Sequence, residues 1–418
     1  MLSDVVVCDY NYVFDPLVAM DRLLQSPGGA SLLVDEAHQL APRVRDAYSA
    51  AVDTDGLRAL RREAGKSYGR KCALYRALTG AIRALESEAE NPAFEQLALP
   101  PDALEDAMRA VQAAACEQLS RGGGSCAQEC FSLSTGYLFA AERFDGRYAL
   151  LAGGAQKHAR IELALLDASP EILAQTKRAR GTVFFSATLA PFDACKKMLG
   201  STEGDACLAL PSPFDPAQLD AKILPIDIRY RSREQTAPDV AEAILNHIRA
   251  HAGHTIAFFP SYAYMHRIAE LMLGMEELPQ AELLHERRAM TEDEKNALLG
   301  AFDGDEPVVL LAVLGGAFSE GIDLPGRKLE NVIVVSTGMP QPDERLRAMQ
   351  AYYDAAGENG FDLCMTLPGM VRVIQAAGRL IRTDTDTGTL LLIDSRYSHA
   401  RIRALLAGTL IGDALGIS

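Results

Sequence analysis

At 418 residues, 48% of them apolar, the chain holds material for two or three folded domains and is not a disordered polymer. Its formal charge of −15, from 41 basic and 56 acidic side chains, excludes a protein basic over its whole surface but leaves room for a local positive channel. No run of 18 apolar residues suits a membrane span, MLSDVVVCDYNYVF lacks a basic signal-peptide head, and the eight cysteines are irregularly spaced. A cytoplasmic protein with no membrane contact is therefore expected.

In chain order, DVVVC (4–8) and SLLVD (31–35) are short, apolar and rich in β-branched residues, which predicts two buried strands. Pro27, Gly28 and Gly29 turn the chain between them. From about 42 to 118 the texture changes to Ala, Leu, Arg and Glu with no convincing strand. RDAYSAAVDTDGLRALRREA and PDALEDAMRAVQAAACEQLSR repeat apolar residues every three or four positions, as helices do, and RGGGS at 121–125 ends the second. A hairpin is predicted over 137–151 and another helix over 160–176. GTVFFSA (181–187) restores strand texture, followed by a helix near 192–199 and a short strand near 206–210. The arrangement predicts a helical insertion over 42–178, placed inside an α/β domain formed by 1–41 and 179–221.

From 222 to 418 the apolar runs TIAFF (255–259), VVLLAVL (308–314), NVIVVST (331–337) and GTLLLID (388–394) alternate with helical stretches. PSYAYMHRIAELML and LPGMVRVIQAAGRLIR are two of these stretches. This is the pattern of a parallel sheet covered by helices. Thr291 followed by Glu294 forms a capping-box signature and predicts a helix start near 292.

Two segments carry the sharpest chemistry. VDEAH follows a predicted buried strand, where Asp35 suits Mg²⁺ and Glu36 suits orientation of an attacking water, with His38 placed to relay nucleotide state. QAAGRLIR carries Gln375, Arg379 and Arg382 on one face of a predicted helix, the arginines able to fork onto phosphate oxygens, with Gly378 permitting close approach. FSEGIDLPG (318–326) adds Gly321 and Asp323 in a loop after a strand, suited to nucleotide ribose or a motif arginine. SAT (186–188) offers hydroxyls to the carboxylate network.

Other patterns are weaker. AGKS at 64–67 ends like a phosphate loop, but Leu60 stands where its first glycine belongs and no strand leads into it. Arg58, Arg62, Lys66 and Arg70 recur every four residues and suggest a basic stripe for a nucleic-acid strand, with solvated or internally paired charges as the alternative; Tyr68 and Tyr75 stack on bases or simply pack. Cys126 and Cys130 supply only two soft ligands, so unlinked thiols are expected. His247, His251 and His254 are expected at an ordinary polar helix end.

Taken together, VCDYNYVFDP (7–16), LLVDEAH (32–38), FFSATL (184–189), AFSEGIDLPG (317–326) and QAAGRLIR resemble the DinG/XPD-like branch of the superfamily 2 helicases. The resemblance implies two RecA-like, P-loop NTPase-type motor domains with an arch-like insertion. It implies an ATP-dependent DNA helicase moving 5′→3′ on single-stranded DNA, with roles in DNA repair. Asp35 and Glu36 then match magnesium binding and water activation, Gln375, Arg379 and Arg382 match the phosphate-sensing motif, and Gly321 and Asp323 match the motor-coupling loop. The family's lysine-bearing phosphate loop and four cluster cysteines precede VCDYNY, and this sequence shows neither ahead of Asp35. The first motor domain is accordingly expected to be incomplete, with exposed sheet edges, no 4Fe–4S cluster and little turnover alone, the chain being a truncated form. A partner supplying the missing part, or a noncatalytic remnant that binds nucleic acid or protein, is the alternative expectation.

Overall fold

A computed structural model describes residues 4–24, 29–275, 281–318 and 329–417. The chain forms two compact units, one of 1–206 with 342–358, the other of 207–341 with 359–418. Where the sequence suggests one domain over 222–418, Pro342–Glu358 instead groups with the first unit. Its helix, Glu344–Ala355, is held there through Arg345, which contacts Asp46 at 2.8 Å, the Ser49 hydroxyl at 3.2 Å and Glu162 at 3.7 Å. No helix among the described residues is long and apolar enough to cross a membrane.

In the first unit β1 (Ser31–Val34) pairs in parallel with a strand 150 positions further on, Gly181–Phe184, in the register Ser31↔Gly181 to Val34↔Phe184. Between them come β2 (Ala50–Asp53), β3 (Tyr148–Gly153) and β4 (Arg160–Leu165), an antiparallel sheet in the order β2-β4-β3, which makes Gly181–Phe184 β5. Helices Thr54–Ser67, Ala73–Ala89, Asp102–Ser120 and Ser125–Glu142 pack into one core with that sheet.

The insertion is thus mixed, and three expectations are corrected. Residues 137–142 finish a helix, because Tyr137, Leu138 and Ala140 keep helical spacing into the core. Residues 160–165 are a strand, with Ile161 and Leu163 buried against β2 and β3. The long helix expected from 45 is broken by β2, where Asp53 turns extended and caps the next helix through the Gly56 amide at 2.7 Å. Nor do 4–8 or 206–210 form strands: Val5 and Val7 are 78% and 96% exposed, so their β-branched texture has no sheet to join.

The second unit is a six-stranded, all-parallel sheet in the order β6-β11-β10-β7-β9-β8. Its strands are Leu219–Leu224, Thr255–Phe259, Glu282–His285, Val308–Val313, Asn331–Val335 and Gly388–Ile393, β6 to β11 in turn. Parallel strands buried on both faces need apolar side chains at nearly every position, and β7, β9 and β10 have them. Alternate residues serve different layers. Ile256, Phe258, Leu310 and Val332 pack with Leu-rich helices at 367–417, while Ala257, Phe259, Leu311 and Ile333 pack under Arg233–Ala250 and Tyr262–Leu273. The capping box at Thr291 and Glu294 is formed, with both reciprocal bonds present.

Candidate functional site

In the first unit, pairing of β1 with β5 brings two distant motifs together. The ladder continues past the strands, the Phe185 amide donating to the Val34 carbonyl at 3.0 Å and the Ala37 amide to that of Phe185 at 3.1 Å. That places the DEAH turn beside SAT. Ser186 is the junction: its Oγ donates to Glu36 Oε2 at 3.0 Å, meets His38 Nδ1 at 2.8 Å and lies 3.3 Å from Thr188 Oγ1. Because the single Ser186 proton goes to Glu36, the His38 contact is satisfied when Nδ1 carries its own proton. His38 Nδ1 also lies 3.3 Å from Glu36 Oε2, its side chain 11% exposed against 52% for Glu36.

The turn itself is conformationally costly. Glu36 adopts φ 47 and ψ 43, a left-handed backbone that non-glycine residues enter at about 1–2 kcal/mol. Tyr10 clamps it, its hydroxyl donating to the carbonyls of Asp35 and, at 3.1 Å, Glu36. Burial and the neighbouring acids push that phenol above its ordinary pKa despite Arg43, whose guanidinium lies 5.5 Å from the ring centroid. Sequence alone assigns Tyr10 no role; its only signal is its place in VCDYNY.

Asp35 and Glu36 are both exposed, and Asp35 Oδ1 accepts the Glu36 amide at 2.8 Å. Among the described residues no group of three or more His, Cys, Asp or Glu side chains forms a metal cage. Magnesium held with a nucleotide needs only one or two carboxylates, the rest coming from water and phosphate oxygens, so an exposed Asp35 at a strand end fits that ion.

The second unit carries QAAGRLIR, and here the helix expectation is corrected. The helix Leu367–Ala377 includes Gln375 but stops before Arg379 and Arg382, since Leu380 and Ile381 turn into the core at 3% and 4% exposure. The two arginines therefore lie in the following turn, not on one helical face. Asp386 shapes that turn by accepting the amides of Arg382 at 2.9 Å and Thr383 at 2.8 Å. Burial would raise the Asp386 pKa, yet these amides and the Thr383 hydroxyl hold it below the usual carboxylate range. Gly378 has ordinary helical φ, and a Cβ there would meet only carbonyls of its own helix, so close approach does not explain it. Gly321 and Asp323 lie outside the described residues.

The basic stripe does not continue as the four-residue spacing suggests. Arg58 is occupied internally, bonding Glu86 at 2.5 Å and the Lys157 carbonyl. Arg62 and Lys66 are exposed on the Thr54–Ser67 helix, Lys66 lying 3.4 Å from Glu63. Arg70 falls beyond the helix end, past Gly69 at φ +85. AGKS lies within that helix, and Gly65 is where Tyr75 packs: a Cβ would sit 3.1 Å from its ring. The Tyr68 hydroxyl accepts the Gly124 amide at 3.1 Å. Both tyrosines pack within the unit. Cys126 and Cys130 are buried free thiols, and burial pushes Cys130 to about 12, far from a thiolate ligand.

A profile described as Helicase C-terminal domain matches residues 244–411. The ATP-dependent DNA helicase DinG of Photobacterium profundum is 31% identical over 244 residues, 55% of this chain and 34% of that protein. The ATP-dependent DNA helicase chl-1 of Caenorhabditis elegans is 27% identical over 289 residues, 64% of this chain and 34% of that protein. The chain thus spans about a third of the length of these relatives. A solved XPD helicase shares the fold with a TM-score of 0.65 at 17% identity, covering 98% of this chain and 71% of that one. An apo XPD structure gives 0.63 at 17%, covering 95% and 79%.

Proposed function

The chain belongs to the DinG/XPD-like branch of the superfamily 2 helicases, and from that premise we propose that it is the core of an ATP-dependent DNA motor working 5′→3′ on single strands. The observation that carries this reading is the Glu36–Ser186–His38–Thr188 network, which joins the DEAH and SAT segments across 150 residues of sequence. An acid that orients water must be held by neighbours that are themselves held, and Ser186 does this for Glu36.

Asp35 would hold Mg²⁺, which when bound neutralises phosphate charge. Glu36 orients the attacking water, and Gln375, Arg379 and Arg382 bind the triphosphate. Gly321 and Asp323 couple nucleotide to strand, while Arg62, Lys66 and Arg70 contribute to a DNA path. Arg58 is withdrawn from that path by its partners. Work in DNA repair in the cytoplasm accords with this reading.

No glycine-rich loop with a lysine stands ahead of Asp35 in these 418 residues. Since that loop supplies the amides and cation for the β- and γ-phosphates, we expect this chain alone to turn over ATP slowly. A second reading, a noncatalytic module completed by another polypeptide segment, is favoured by the face that β1 and β5 leave open: Leu33 is 73% and Val183 55% exposed. The test is fluorescence anisotropy with labelled oligothymidylate, alongside DNA-stimulated phosphate release. Salt-sensitive binding with slow release is the expected pair. Fast release abolished by Glu36→Gln would overturn the expected inactivity, and failure to bind any single strand would overturn the motor reading itself.

A further inference from the structure

One buried charge at the C-terminal end of the six-stranded sheet has no part in the segments above. Glu286 directly follows β8 and has 0% exposure. Its Oε2 accepts the Val313 amide at 2.8 Å, while Oε1 accepts the Ala317 amide at 2.8 Å and the Tyr262 hydroxyl at 2.7 Å. Val313 ends β9 and Ala317 lies four residues on, so one side chain ties both ends of a turn. The turn is closed by the Gly316 amide donating to the Val313 carbonyl at 2.8 Å, and Phe318 beyond it is fully buried.

The two glycines between these ties each meet a charged group. A Cβ on Gly316 would lie 2.3 Å from Glu286 Oε1, a position no side chain can share with the carboxylate. Gly315 sits at φ +79, and a Cβ there would lie 3.6 Å from Arg372 Cζ. Arg372 in turn reaches the Gly338 carbonyl at 3.4 Å from the Leu367–Ala377 helix, one turn before Gln375. A carboxylate is a costly side chain to bury, and an apolar one of similar size fills the same volume without that cost. What the carboxylate adds is fixed backbone.

We propose that Glu286 is a positioning residue for the backbone that leaves β9: it fixes the chain from Val313 to Ala317, and Gly316 is glycine in order to admit it. The positioning stands on the hydrogen bonds alone; its consequence for DNA binding rests on the helicase reading.

The experiment is hydrogen exchange on the full 418-residue chain, read beside oligothymidylate affinity. Glu286→Ala is expected to speed exchange of the Val313 and Ala317 amides about tenfold or more, with Val332 and Leu390 in the sheet centre unchanged. Gly316→Ala should do the same, yet add little on top of Glu286→Ala, because both remove one contact. If Glu286→Ala unfolds the sheet, Glu286→Gln decides: with one acceptor oxygen left, one of the two amides loses protection and the other keeps it. Unchanged exchange at both amides in Glu286→Gln, or fully additive effects of the pair, overturns the positioning role. Oligothymidylate affinity should fall about tenfold in Glu286→Gln, measured well below the thermal midpoint of the variant so that both proteins are folded. Unaltered affinity beside faster exchange overturns the functional half. Wild-type protein that binds no strand sinks the helicase reading while the exchange result still decides the positioning.

Discussion

Glu36 occupies a left-handed backbone that a glycine would enter freely, so the chain retains a carboxylate there against its conformational preference. Glu36→Gly should raise the stability of the first unit by up to about 1 kcal/mol in urea unfolding, while Glu36→Gln leaves it near wild type. A Gly variant that is clearly less stable would show that the turn is not strained. His247 supplies a pH dependence. Burial, then His251, depresses its pKa from 6.5 to about 4, and its Nε2 meets Thr389 Oγ1 at 2.9 Å. Between pH 6.5 and 4 the unfolded chain binds a proton that the folded chain refuses. Stability is therefore expected to fall as pH drops through that window, by about 2–3 kcal/mol at most. His247→Gln should flatten the urea midpoint against pH; an unchanged slope would contradict the assignment.

At the scale of elements, glycines in two helices make a matched test. At Gly80, in Ala73–Ala89, a Cβ would point into open space, whereas at Gly65, in Thr54–Ser67, it would meet the Tyr75 ring at 3.1 Å. Gly80→Ala should stabilise by roughly 0.5–1 kcal/mol, the ordinary helix gain. Gly65→Ala should be neutral or destabilising, because Tyr75 must give way. Equal gains in thermal unfolding would mean that the ring does not seat on Gly65. The same elements explain what the sequence made legible. Fully buried β7, β9 and β10 appear as unbroken apolar runs, and the Thr291 cap announces its helix. Edge strands do not: β6 (LDAKIL) and β8 (ELLH) mix polar residues into half-covered surfaces. In β2, AAVD carries helix-favouring alanines, and only its pairing with β4 makes it a strand. Leu380 and Ile381 imitate a continuing helix because core packing in a turn can keep the same spacing. Of the candidate site, DEAH and SAT are readable as motifs. Tyr10 and Glu286 are not, since their roles are hydrogen bonds to distant backbone and leave no local pattern.

For the whole molecule, the uncovered β1–β5 face sets solution behaviour. Leu33 and Val183 are register partners, and Phe185, two positions beyond Val183 and 44% exposed, extends the same apolar surface. Parallel sheets elsewhere are covered on both faces, so this surface should drive concentration-dependent association. Replacing Leu33 and Val183 together by Thr should lower light scattering at high protein concentration and leave the unfolding midpoint of the second unit unchanged. Scattering that persists would place the sticky surface elsewhere.

Pro342–Glu358 completes the first unit from late in the chain, after 135 residues (207–341) of the second have been laid down. On the ribosome, Asp46 and Glu162 emerge long before Arg345 can reach them. Among the described residues, the hydrophobic core of the first unit is drawn from positions 10–199, so Pro342–Glu358 is a late clasp on a core whose residues are already made. The leading portion is therefore free to condense in order of synthesis and to be fastened afterwards by Arg345.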